Sequence, residues 1–281
     1  MLSYFSLAVL ITSHNRKEKT LQCLKALFNQ NGLGESYSIE VFLVDDGCTD
    51  GTPEAIKLDF PQVTIIQGSG NLYWNRGMYL AWETAASVKD FDYYLWLNDD
   101  TFLVKNAIEI LLTEIFINSI VCGATQSQLS QKTTYGAFTS KPRKLIIPNG
   151  KYQNADYCNG NCVLIPKYVY EKLGNLDLVF QHALGDFDYS LRAREIGIEI
   201  KVAPKFAGLC ESHETTPKWR SNSLNVIERL KNLYTPLSGC YPPEYFVFDK
   251  RHNGLFEACL HYVTIHLRCL FPFIWQEKNC R

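Results

Sequence analysis

The stretch Asp92-Tyr93-Tyr94-Leu95-Trp96-Leu97-Asn98-Asp99-Asp100-Thr101 constrains this chain more than any other. Five of the six residues before Asn98 are large and apolar or aromatic, which suits a strand buried on both faces of a sheet. Two adjacent carboxylates stand where that strand must end. Charge at the edge of an apolar layer is costly unless it meets a cation or hydrogen-bonding partners. In open α/β sheets, ligands bind beyond the carboxyl ends of the strands. Asp99 and Asp100 are therefore placed for a binding site; the alternative is a solvated strand end in which Asp100 or Thr101 caps a helix.

The rest of the first half repeats this logic. Ser6 to Thr12, Ile39 to Val44 and Val63 to Gln67 read as strands. Helices are expected over Lys17 to Gln30, after Thr52-Pro53 with Thr52 as N-cap, along Met78, Ala81, Trp82 and Ala85, and from Val104 through Phe116. Strand alternating with helix predicts an α/β fold with a mostly parallel sheet and right-handed crossovers.

The second half is less regular. Gly123 to Asn154 is polar, with short strands and a loop facing the site. Cys162 to Pro166 is expected as a strand, Tyr168 to Leu173 as a helix stopped by Gly174, and Gly185 to Ile196 as a helix stopped by Gly197. Ile198 to Val202 and Phe206 to Cys210 suggest a hairpin. Helical stretches at Asn222 to Tyr234 and Asn253 to Leu270, joined through Pro242-Pro243, follow.

Composition narrows the function classes. Lys and Arg (28) nearly balance Asp and Glu (29), so no broad field points to nucleic acid or an anionic membrane, and phosphate binding must be local. Ten cysteines lack a disulfide-scaffold or zinc-ribbon rhythm, and only Cys158 and Cys162 approach ligand spacing, which favours a reducing, cytoplasmic setting. The apolar start, Tyr4 to Ile11, has no basic region before it and reads as a strand, not a signal peptide. No window offers the ~20 apolar residues of a membrane span.

Three strand ends carry polar clusters: Thr12-Ser13-His14-Asn15-Arg16, Asp45-Asp46-Gly47 and Asn98-Asp99-Asp100. At one edge of a parallel sheet they would line a crevice for a polar ligand. With Gly70-Asn71-Leu72-Tyr73-Trp74 and Gly185-Asp186-Phe187-Asp188-Tyr189-Ser190-Leu191-Arg192, they make the chain resemble the inverting family 2 glycosyltransferases of the GT-A fold, rhamnosyltransferase-like members included. The resemblance covers about Leu7 to His213. It implies a donor-binding half (1–120) and an acceptor-binding, catalytic half (121–217) of one domain, then a C-terminal helical region (218–281).

By that resemblance, Thr12 and Asp46 hold the nucleotide base, Asp99 the ribose, and Asp100 a Mg²⁺ or Mn²⁺ on the donor diphosphate. A hard divalent ion suits carboxylate and phosphate oxygens. His14, Asn15 and Arg16 join the donor site, as do Asn71 and Arg76 near the diphosphate; a plain surface charge is the competing reading of Arg76. Asn98 stands where the family often has a third Asp, so one negative charge is missing. Asp45 is expected to form the turn before Gly47. Asp186 is the implied base that deprotonates the acceptor hydroxyl, although Gly185 replaces the usual flanking acid; Asp188 caps the helix or positions Arg192. His213 is either a further metal ligand or a solvated loop side chain. Tyr73 and Trp74 either stack on a sugar or pack into the core.

The expected activity is metal-dependent transfer from a nucleotide-sugar, dTDP-rhamnose or a UDP-sugar among the options, to a glycan or lipid-linked saccharide in bacterial surface polysaccharide synthesis. Two alternatives are a sugar-phosphate nucleotidylyltransferase and a silent nucleotide-sugar-binding domain. The former wants a Gly-rich first loop, and Thr12 to Arg16 contains no glycine. Near the C-terminus, Leu255, Cys259, Tyr262, Val263, Ile265, Leu267, Leu270, Phe271, Phe273, Ile274 and Trp275 lie among basic residues from Lys250 to Lys278. Peripheral membrane contact, packing on the catalytic domain and a homodimer all remain open for this region.

Overall fold

In the computed structural model, residues 4–112, 118–212 and 217–275 are described. Strand and helix alternate as β1 (Phe5–Ser13), α1 (Lys17–Phe28), β2 (Tyr37–Asp45), α2 (Thr52–Asp59), β3 (Thr64–Gln67), α3 (Tyr73–Val88) and β4 (Tyr93–Leu97). β5 (Phe102–Leu103), α4 (Ala107–Leu112) and β6 (Ser119–Cys122) follow. Beyond them come β7 (Thr125–Gln126), β8 (Ala137–Ser140), β9 (Arg143–Leu145), β10 (Gln153–Ala155), β11 (Tyr157–Cys158) and β12 (Cys162–Pro166). α5 (Lys167–Leu173), α6 (Gly185–Glu195), β13 (Glu199–Val202) and β14 (Gly208–Leu209) complete this part.

The main sheet has eight strands in the order β10-β13-β6-β12-β4-β1-β2-β3. Pairs β1–β2, β1–β4, β2–β3 and β13–β6 are parallel, while β12 runs antiparallel between β4 and β6. Alternation along β1 sends Ala8 and Leu10 to one face, with Met78, Trp82 and Tyr189, and Leu7, Val9 and Ile11 to the other, with Leu24, Ile56 and Ile108. Helices cover both faces, so Leu7 to Ile11 of β1 and the whole of β4 are apolar or aromatic. Each such Leu or Ile contributes roughly 1.5–3 kcal/mol by burial. Trp82, Trp96 and Tyr189 pack mutually, with ring centroids 5.2–5.5 Å apart.

Several expectations are corrected. Gly51, in the left-handed region at φ 80°, caps α2 in place of Thr52, because the Asp50 carboxylate takes both the Thr52 N–H and hydroxyl. The hairpin at 198–210 does not form: β13 joins the main sheet parallel to β6, and β14 pairs with β5 and β7 in a small separate sheet. Local alternation marks strands but not partners. The end of the helix expected through Phe116 lies outside the described residues.

Contacts divide the chain into two units, residues 1–178 with 186–212, and 179–185 with 213–281. The second contains α7 (Val226–Leu233), α8 (Pro242–His252) and α9 (Leu255–Leu270). Residues 179–185 were expected in the catalytic half but group here, because Phe180 packs on Phe248 and the Gln181 N–H donates to Glu244 at 3.1 Å. Pro242-Pro243, read as a connection, opens α8, since proline at a first helical turn loses no hydrogen bond. Among the described residues, no helix is long and apolar enough to cross a membrane.

Candidate active site

β1 is the switch point of the main sheet: the chain moves outward through β2 and β3, then returns to β1's other side as β4. The segments that follow β1 and β4 pack on the same face of the sheet, Gln30 donating to the Val104 carbonyl and accepting from the Ile108 N–H. Arg16, at the start of α1, therefore stands beside the end of β4. Its Nη1 donates to Asp99 Oδ1 at 3.2 Å and to Asp100 Oδ2 at 2.8 Å. Thr20, one turn along α1, donates to Asp99 Oδ2 at 3.4 Å, and Lys19 Nζ lies 3.9 Å from Asp100. Cys210 Sγ approaches Asp100 Oδ1 at 3.7 Å.

Both carboxylates are buried, and burial, opposed by Arg16 and assisted by Asp100, raises the Asp99 pKa to about 6. Burial lowers the Arg16 pKa, but the two acids outweigh it and the net shift is upward. Arg16 and Lys19 together set two positive charges beside the two acids. Among the described residues no three His, Cys, Asp or Glu side chains form a ready-made metal cage. An acid pair completed by phosphate oxygens and water is nonetheless the donor set that Mg²⁺ accepts with a nucleotide. The residues fit such an ion.

The other predicted donor residues tie the loops together. His14 Nδ1 donates to the Asp46 carbonyl at 2.6 Å, and the Asn15 amide nitrogen is 3.2 Å from His14 Nε2. Asn15, at φ 52°, accepts from the Thr49 N–H at 2.7 Å. Asp46 accepts from the Gly70, Leu72 and Tyr73 N–H groups at 2.8–2.9 Å, locking the turn before α3. Asp45 accepts from the Cys48 N–H at 2.7 Å, closing its own turn. Half-buried Thr12 lies under α3, where a Cβ on Gly77 would come 2.3 Å from its hydroxyl. Asn71 is exposed on the turn, and Arg76 Nε donates to the Leu178 carbonyl at 2.9 Å.

Asp186 lies at the start of α6. Its carboxylate accepts from the Gly160 N–H at 2.8 Å and the Phe187 N–H at 2.9 Å. Burial, partly opposed by these amides, raises its pKa to about 6. A route of contacts links it to the acid pair. A Cβ on Gly160 would lie 2.3 Å from the Trp74 ring and 3.4 Å from Asp186 Cβ, so only glycine permits this approach. Trp74 Nε1 donates to Asn98 Oδ1 at 2.7 Å, immediately before Asp99. Trp74 thus packs beside Trp96 while fixing Asn98. Asp188 is buried and holds Arg192 at 2.8 Å.

Asn15, Tyr73 and Leu184, three of the four non-glycine residues with positive φ among the described residues, immediately precede Arg16 and Trp74 or stand two before Asp186. Strained backbone gathers where side chains must be aimed. Sequence reasoning missed Lys19, Thr20, Cys210 and Gly160. Helical spacing from Arg16 could have found the first two, whereas nothing local marks Cys210, 110 residues from Asp100. His213 lies outside the described residues.

The family model described as Glycosyl transferase family 2 matches residues 8–174, more than half of the chain. No curated protein matches the sequence. Among solved structures, S. aureus TarS 1-349 in complex with UDP-GlcNAc aligns at TM-score 0.59 and 11% identity, covering 96% of this chain and 91% of that one. A longer S. aureus TarS structure aligns at 0.58 and 12% identity, covering 94% of this chain, which spans only 55% of its length. Mannosyltransferase PcManGT from Pyrobaculum calidifontis, in complex with GDP-Man and Mn²⁺, aligns at 0.53 and 16% identity, covering 95% and 72%. At these identities the likeness establishes the fold.

Proposed function

This chain belongs to glycosyl transferase family 2, and on that premise we propose that it transfers a sugar from a nucleotide-sugar to a saccharide hydroxyl, with inversion and with a divalent metal ion. The observation that carries this reading is the placement of Asp186 on the same polar edge as Asp99 and Asp100, linked to them through Gly160, Trp74 and Asn98. Asp186 accepts the proton of the acceptor hydroxyl as its oxygen bonds to the anomeric carbon. The bond from that carbon to the diphosphate oxygen breaks on the opposite face. A carboxylate with a pKa near 6 is largely ionised at neutral pH yet basic enough for this late proton transfer.

Asp100, with Asp99 beside it, would hold Mg²⁺ or Mn²⁺, which when bound would offset charge on the leaving diphosphate. Arg16 and Lys19 add fixed positive charge there. Thr12 and the turn held by Asp46 form the side assigned to the base. UDP- and deoxythymidine-linked sugars, dTDP-rhamnose included, are the proposed donors, and glycans or lipid-linked saccharides of surface polysaccharide synthesis the proposed acceptors. Nucleotidyl transfer is set aside by family membership. Screening nucleotide-sugars by thermal shift with and without Mn²⁺, then analysing products, tests the proposal. Nucleoside diphosphate release that EDTA abolishes supports it; pyrophosphate release, or no stabilisation by any donor, sinks it.

The C-terminal unit extends the reading to a cytoplasmic membrane surface. It carries nine Lys and Arg against six Asp and Glu, whereas the first unit carries nineteen against twenty-three. On α9, Phe256, Leu260, Val263 and Leu267 form an exposed stripe, opposite buried Ala258, Ile265 and Cys269. Ile265, one of the apolar residues of this region, packs inward. A two-fold dimer through this stripe would bring like-charged units together, which favours anionic lipid. Lys278 lies outside the described residues. The full chain should float with phosphatidylglycerol vesicles and lose flotation in Phe256→Ser/Leu267→Ser. Equal flotation of the variant, or a concentration-dependent dimer that it abolishes, points elsewhere.

A further inference from the structure

Beside Asp186 stand three aromatic rings that belong to none of the apolar core clusters among the described residues. Phe138 of β8 stacks on Tyr157 of β11, centroids 5.4 Å apart and planes at 18°. Phe187 of α6 meets both edge-on, at 6.2 and 4.9 Å. All three are half-buried, so each keeps part of its surface in water. Phe187 follows Asp186 and donates its N–H to that carboxylate, while Tyr157 lies three residues before Gly160, which donates the other N–H. The patch is thus built onto the two segments that hold the base.

The turn from β8 to β9 adds charge. Lys141, Arg143 and Lys144 are all exposed, and the Arg143 guanidinium lies 5.2 Å from the Phe138 centroid and 5.8 Å from that of Phe187. The acid nearest in this hairpin pairing, Asp156, is already engaged by Ser140 and by Arg194 at 2.9 Å. Half-open aromatic rings suit the C–H face of a pyranose. The Arg143 guanidinium also engages the Tyr157 side chain, and the rest of its five N–H donors can meet an anion.

We propose that Phe138, Tyr157 and Phe187, with Lys141, Arg143 and Lys144, form the acceptor subsite, and that it takes a saccharide bearing a phosphate or carboxylate. This rests on Asp186 acting as the base, since the ring bound here presents its hydroxyl to that carboxylate. The anionic group sits at the hairpin and the reacting hydroxyl at the start of α6. A neutral sugar lacks the first contact, and a free anion lacks the second.

The test uses full-length protein labelled with fluorotyrosine, the Tyr157 ¹⁹F signal being assigned by its loss in Tyr157→Phe. Methyl glucoside 6-phosphate, methyl glucuronide, methyl glucoside and inorganic phosphate are titrated separately. The Tyr157 signal should saturate at roughly tenfold lower concentration with the anionic sugars than with either methyl glucoside or phosphate. Arg143→Gln and, separately, Lys144→Gln should shrink that preference. Phosphate acting as well as the sugar phosphate, methyl glucoside acting as well as either anionic sugar, or a preference untouched by both variants overturns the proposal. Calorimetric binding of UDP and, separately, of dTDP with Mn²⁺ on the same sample reads the donor side independently. Absence of both beside an intact Tyr157 response would reject the donor assignment and leave the anionic-saccharide site standing.

Discussion

Asp99 and Asp186 share a pKa near 6 and reach it by different physics. At Asp99, burial and the neighbouring Asp100 push upward, and the Arg16 charge pulls down. At Asp186, burial pushes upward, and only backbone N–H groups pull down. The first carboxyl therefore answers to any cation entering the site, and the second answers to backbone geometry. On the proposed reading, an arriving nucleoside diphosphate and metal would change the charge around Asp99, whereas the backbone amides around Asp186 would stay as they are.

The largest effect expected to expose this difference is that of Asp186→Asn. It should lower kcat by roughly 10²–10⁴-fold with donor affinity little changed, because it removes proton acceptance and not binding. Collapse of donor binding in a calorimetric titration would instead make Asp186 a structural or donor-side residue. Asp100→Ala should come next, leaving less than about a tenth of wild-type turnover at saturating Mn²⁺ with the fold intact by circular dichroism. Higher residual turnover would remove Asp100 from the metal site.

A pH profile sharpens the comparison further. The base must be ionised, so kcat/KM should fall as pH drops through about 6, by about tenfold per unit once well below it. Raising Mn²⁺ should leave that limb in place if Asp186 sets it. A limb that moves to lower pH as Mn²⁺ rises would assign it to Asp99, whose ionised form the cation favours. The smallest effect is expected from Gly160→Ala. Its methyl would meet the Trp74 ring at 2.3 Å, costing about 1–3 kcal/mol in overpacking and lowering the melting temperature. Unchanged stability and kcat would separate Trp74 from the alignment of Asp186 with Asn98.

The sequence by itself determined the alternating half of the fold and the polar strand ends. Those signals are local: a doubly buried strand such as Tyr93–Leu97 must be apolar at every position, and the charges that follow it must lie at an edge. Asp99 and Asp100 were legible for that reason, Asp186 only through the resemblance to a family, and the Asp188–Arg192 pair through helical spacing alone. Only the tertiary structure decided which polar residues meet. It paired Arg16 with both acids, brought Cys210 beside Asp100 across 110 residues, gave Asp46 to the turn before α3, and sent β13 and β14 to different sheets. Strand periodicity fixes which side chains share a face but not which strand lies alongside. The pKa of Asp186 belongs to the same class, because burial and two amides from Gly160 and Phe187 set it only once the chain has closed around α6.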